Sequence, residues 1–136
     1  MEENTKHWFN VSIVITSETL TTGEITRILN SEPDRAYERG TRMSVRNPKS
    51  QIRTKCVWVK EAPKDDLESF NDSTDFIYSL IRSRVAEFRQ LAPLCQAALW
   101  FGYSPTKPQF SFNIHSETIK LLSDCSITIT MDIYEP

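Results

Sequence analysis

Ile127-Thr128-Ile129-Thr130-Met131-Asp132-Ile133-Tyr134 carries the cleanest periodicity in the chain: Ile, Ile, Met and Ile at every second position, with Thr, Thr, Asp and Tyr between them. A period of two puts the two sets on opposite faces of a strand, so this segment predicts a strand with one face in a core. Working back from it, Ser116 has the chemistry of a helix cap. Ile119, Leu121 and Leu122 then predict a short helix ending near Asp124. Phe110, Phe112 and Ile114 predict a further strand, and the segment 102–108 reads as a turn. Ala97 to Phe101 is apolar on both faces and predicts a central strand.

Phe76, Ile77, Leu80, Ile81, Val85, Phe88 and Leu91 recur at steps of three and four. They predict one long helix from Ser73 to Ala92, which Pro93 ends. Before it, the segment 61–71 is polar, holds a proline and an acidic cluster, and reads as an exposed connection. Ile52, Thr54, Cys56 and Trp58 alternate with Arg53, Lys55, Val57 and Val59 and predict a strand. Residues 33–49 are rich in turn formers and charge and read as an ordered loop, with a short strand around Met43 to Val45. At the start, Phe9, Val11, Ile13 and Ile15 alternate with polar residues over 8–16. Thr21 and Glu24 follow with capping-box spacing, opening a helix through Ile25, Ile28 and Leu29 that stops at 30–33.

This order, strand, helix, loop, strand, helix, strand, strand, helix, strand, is that of one α+β domain over residues 1–136. Helices on one face of a mostly antiparallel sheet satisfy it best. Ser17-Glu18-Thr19 recurs as Ser116-Glu117-Thr118, each between a strand and a helix. The echo leans toward a doubled β-α-β, ferredoxin-like arrangement.

A chain of 136 residues that is 39% hydrophobic can bury one core. No apolar run approaches the roughly 20 residues that cross a bilayer. Met1 to Lys6 is polar and lacks the features of a signal peptide, so a cytoplasmic location and no membrane partner are expected. Cys56, Cys95 and Cys125 are odd in number and widely spaced, which predicts buried free thiols in place of a disulfide framework or a zinc site.

Few reactions fit the residues. His7 and His115 are the only histidines, and no spacing brings them to a common metal. Gly23, Gly40 and Gly102 are too scattered for a phosphate loop, and no serine stands in a Gly-x-Ser-x-Gly elbow. Asp72 and Asp75 suit a helix N-terminus, and Asp65 and Asp66 suit solvent. Asp132, on the polar face of the last strand beside Tyr134, is the one carboxylate that a sheet would present. The sequence thus predicts no metal, no cofactor and no catalytic residue.

Charge asymmetry is what stands out. From Pro33 to Lys60 there are eight basic residues against Asp34 and Glu38, a net +6 in a chain whose total is −2, leaving −8 elsewhere. Tyr37 and Trp58 are interleaved with these cations. The bland alternative is a loop folded over the domain's own acidic surface with its outer face solvated. As a binding surface, the segment has Arg35, Tyr37, Arg39, Arg42 and Trp58 as its candidates, since arginine and large aromatics dominate interface energetics.

Leu20-Thr21-Thr22-Gly23-Glu24-Ile25-Thr26-Arg27-Ile28-Leu29, the turn Glu32-Pro33-Asp34-Arg35 with Tyr37 and Gly40, and the closing Met131-Asp132-Ile133-Tyr134 resemble a bacterial domain-of-unknown-function family of the 4279 type. The likeness covers both ends and, more loosely, the long helix. It implies a small cytoplasmic α+β protein without an established activity, of a kind often found as a single-domain partner, immunity proteins included.

The leading expectation is therefore a non-enzymatic module that binds an acidic protein, most concretely an immunity protein neutralising a cognate toxin domain. Two alternatives stand beside it: nucleotide or nucleic-acid binding through segment 33–60, and an enzyme with an unrecognised carboxylate site around Asp132. An uncovered edge strand would allow a dimer.

Overall fold

The computed structural model describes residues 8–63, 70–104 and 112–134. Strand β1 (Trp8–Ser17) leads to helix α1 (Thr22–Leu29) and a short strand β2 (Arg35–Tyr37). Strand β3 (Cys56–Glu61), helices α2 (Phe70–Arg82) and α3 (Val85–Leu91) and strand β4 (Gln96–Ser104) follow. Helix α4 (Ser116–Asp124) and strand β5 (Ile127–Ile133) close the chain.

The five strands form one sheet in the order β2-β3-β1-β4-β5. All neighbours are antiparallel except β4 and β5, which run parallel because α4 carries the chain back between them. The β-α-β unit occurs around α4, whereas β1 and β3, on either side of α1, pair antiparallel.

Register explains the layering. Ile13 lies opposite Leu99, Ile15 opposite Trp58 and Ala97, and Val11 opposite Phe101. These side chains share one face and, with Ala97 only half-buried, are buried against Ile25, Leu29, Ile77, Ile81, Phe88, Leu91 and Leu122 from the helices. The sheet is therefore a two-layer α+β structure with its core on the helix side, as the alternating patterns predict. Among the described residues, no helix covers the other face.

α1 starts as the sequence predicts. Thr21 Oγ1 accepts from the Glu24 amide at 3.1 Å, the Glu24 carboxylate accepts from the Thr21 amide at 3.1 Å, and Asn30 ends the helix in the left-handed region at φ 50°.

Several elements depart from the sequence reading. The long helix over 73–92 is two helices, broken at Ser83 and Arg84. The Arg84 side chain turns away to donate from Nε to the Leu29 carbonyl at 2.6 Å, tying the break to the end of α1. The strand around 43–45 is absent, and the loop holds β2 earlier, at 35–37. Of the alternating stretch that begins at Ile52, only Cys56–Glu61 joins the sheet. Gly102 lies inside β4, which runs on to Ser104, so the chain does not turn there. Phe112 and Ile114 are not in a strand, and Phe110 lies outside the described residues. The cap of α4 is His115, not Ser116. All three cysteines are free, Cys56 and Cys125 buried and Cys95 half-buried.

Candidate functional site

The basic segment folds into an arm with a fixed root. Gly40, at φ 81°, occupies a conformation that favours glycine, and it opens a narrow hairpin that closes at Arg53. The Gly40 amide donates to the Arg53 carbonyl, the Arg53 amide to the Thr41 carbonyl and the Met43 amide to the Gln51 carbonyl, at 2.8–2.9 Å. At the tip Asn47-Pro48-Lys49-Ser50 makes a turn in which the Ser50 amide donates back to the Asn47 carbonyl at 3.0 Å. Proline holds the second position, where its fixed φ suits a turn. The Ser50 and Ser44 side chains brace this turn.

The root is anchored to α1. The Glu38 carboxylate accepts from the Thr22 amide at 2.8 Å and from the Thr22 hydroxyl at 3.1 Å, placing an anion at the helix N-terminus. Beside it, Arg39 donates to the carbonyls of Glu18 and Thr19.

The five sequence-predicted residues therefore separate. Arg35 and Tyr37 lie on the open sheet face, on β2. Arg35 is ion-paired with Glu61 at 2.6 Å, and the Arg53 guanidinium stacks over the Tyr37 ring at 4.4 Å. Arg39 belongs to the root. Arg42 lies on the arm and donates to the Ser50 carbonyl at 3.0 Å. Trp58, expected beside the exposed cations, is instead 0% exposed on the helix side, with its Nε1 donating to Thr26 Oγ1 at 3.0 Å. Its position in β3 has the same parity as Cys56, and that parity carries it into the core.

What the sequence reading missed is the apolar content of the arm. Met43 is 56% exposed, Ile52 53% and Val45 97%. Read as strand residues, these side chains would have been assigned to a core. Exposure on a loop has no periodic signal.

A second feature is the open face of the sheet. Asn10, Ser12 and Val14 of β1, Trp100 and Gly102 of β4, and Asp132 of β5 line a shallow cleft of about 290 Å³, with Arg35 and Tyr134 at its margins. Trp100 is partly exposed at its centre. The Tyr134 hydroxyl donates to Asp132 Oδ2 at 2.9 Å, and that bond, followed by the carboxylate's charge, raises the Tyr134 pKa. The exposed carboxylate expected at Asp132 is thus present, in a polar and open setting.

The thiols are held in the protonated form. Burial is the first cause for each: it raises the pKa of Cys56 and Cys125 and pushes Cys95 up to about 11. Such thiols are poor nucleophiles at neutral pH. Among the described residues, no three His, Cys, Asp or Glu side chains are grouped as metal ligands. No helix there is long and apolar enough to cross a membrane.

Neither curated proteins nor solved structures yield a match to the chain. A family model, described as "Domain of unknown function (DUF4279)", matches residues 6–136. The chain belongs to this DUF4279 family of domains of unknown function.

Proposed function

We propose that this protein is a non-enzymatic binding module whose basic arm docks an acidic protein partner, a cognate toxin domain being the kind of partner it suits. The observation that carries this reading is the composition of the arm over residues 40–53. It holds Arg42, Arg46, Lys49 and Arg53 with no carboxylate, and it exposes Met43, Val45 and Ile52 between them. Cations interleaved with solvated apolar side chains supply both terms of an interface. The charge speeds encounter with an acidic surface, and the apolar contacts add buried area once docked. The root contacts through Glu38 and Arg39 support the reading further, because they hold the arm in one place and lower the ordering cost of binding.

The test is a calorimetric titration against the product of the neighbouring gene. Reversing Arg42, Arg46 and Lys49 together to Glu removes the charge without touching the root. The expected result is a loss of affinity of about a hundredfold or more, equivalent to about 2.7 kcal/mol. A complex that survives the triple reversal unchanged sinks this surface. Binding of an RNA or DNA oligonucleotide that weakens steeply with salt would instead give the arm to nucleic acid.

A further inference from the structure

The open sheet face contains a notch whose chemistry differs from that of the arm. Asn10, Gly102 and Asp132 stand side by side across β1, β4 and β5, directly opposite one another in the register. The middle position has no side chain. A glycine inside a strand weakens packing, and it suits a place where something approaches the backbone closely. Trp100, two residues back along β4 on the same face, forms the wall of the notch.

Asp132, Trp100 and Asn10 can each receive a positive donor beside this gap. Asp132 is exposed, forms no ion pair among the described residues and uses Oδ2 for the Tyr134 hydroxyl, which leaves Oδ1. The Trp100 ring offers a negative face. Asn10 Oδ1 is shut away from solvent with no hydrogen-bond partner, a cost that an arriving donor relieves once the amide turns toward it. Among the described residues that line the cleft, the one cation is Arg35, which is paired with Glu61 at 2.6 Å.

The geometry points to a binding site for a small organic ammonium compound, its charged group seated over Gly102 between Asp132 and Asn10 and its apolar body lying on Trp100. The spacing fits. Asn10 and Asp132 stand two strand spacings apart, roughly 10 Å between Cα atoms. That leaves room for one ammonium making hydrogen bonds of about 2.8 Å to each side. This site is separate from the arm and stands whether or not the arm binds a protein.

Phenethylammonium chloride, titrated into the ¹⁵N-labelled full chain, tests it. The expected result is a saturable shift of the Gly102 and Asp132 amides and of the Trp100 indole N–H, with 3-phenylpropanoate producing none. Asp132→Asn, at an exposed position, is expected to weaken binding about tenfold. Gly102→Val, which fills the notch, is expected to abolish it while the dispersion of the spectrum shows an intact fold. Equal binding by Asp132→Asn, no shift with the amine, or tighter binding of the carboxylate would each overturn the assignment. Tighter binding of an end-blocked lysine peptide than of the free amine would overturn the choice of a small molecule and make the notch a seat for a protein side chain.

Discussion

Two side chains show how position decides role at the scale of the residue. Trp58 and Trp100 both sit on strands, yet their opposite parity sends one into the core and leaves the other on the open face. Trp58→Ala removes a fully buried indole and its bond to Thr26, and is expected to destabilise the fold by about 3–5 kcal/mol in urea unfolding. Cys95 carries the sign of the pH dependence. Its thiol keeps its proton to about pH 11 in the folded chain and loses it near 9 when unfolded. Its contribution to stability is thus fully present below about pH 9 and is lost as pH rises through 11; buried Cys56 and Cys125 act in the same direction. Denaturation midpoints are expected to hold level from pH 7 to 9 and to fall above that. A midpoint that rises between 9 and 10.5 would contradict the burial of these thiols.

Among the elements, the break between α2 and α3 is the clearest case of a feature hidden from the sequence. Neither Pro nor Gly stands at Ser83 and Arg84, and the apolar stripe runs straight through, so periodicity alone reads one helix. The cause is long-range: Arg84 reaches the carbonyls of Leu29 and Asn30, at 2.6 and 3.3 Å, and satisfies the end of α1. Arg84→Met is expected to cost about 1–3 kcal/mol by thermal or urea unfolding, the range for losing hydrogen bonds to a charged donor at a half-buried site. Removing the local cap of the same helix with Thr21→Ala is expected to cost about 1 kcal/mol. β1 and β5 were legible because their alternation is long, and β4 because its run from Ala97 to Phe101 is apolar on both faces. β2 was not, because three exposed residues carry no period; beside it the Asp34 amide donates to the Val59 carbonyl at 2.8 Å and the Asp34 carboxylate accepts from the Glu61 amide at 2.6 Å. The arm was legible as charge and illegible as shape.

Taken whole, the molecule is polarised in two ways. Apolar packing lies on one side of the sheet and the cleft on the other, while the arm over residues 40–53 carries four cations and no carboxylate. The two proposed surfaces therefore call for opposite ligands, acids at the arm and cations at the cleft. Raising salt from 50 to 500 mM is expected to weaken an arm-mediated complex about tenfold or more, chiefly through a slower association rate. A salt-independent affinity would mean that Met43, Val45 and Ile52 carry the contact without help from charge. Both surfaces lie outside the core, and for that reason core periodicity could announce the fold and still leave the sites unmarked.

The hairpin of residues 40–53 also makes the chain a substrate. The Arg46–Asn47 and Lys49–Ser50 bonds lie at its exposed tip, where trypsin can draw the backbone into an extended form without unfolding the sheet. One nick there leaves two fragments still paired along β1 and β3, so the cut chain is expected to stay together on a sizing column and to separate in denaturant. Protection of those two bonds then becomes a footprint, readable by mass spectrometry, for whatever settles on the arm.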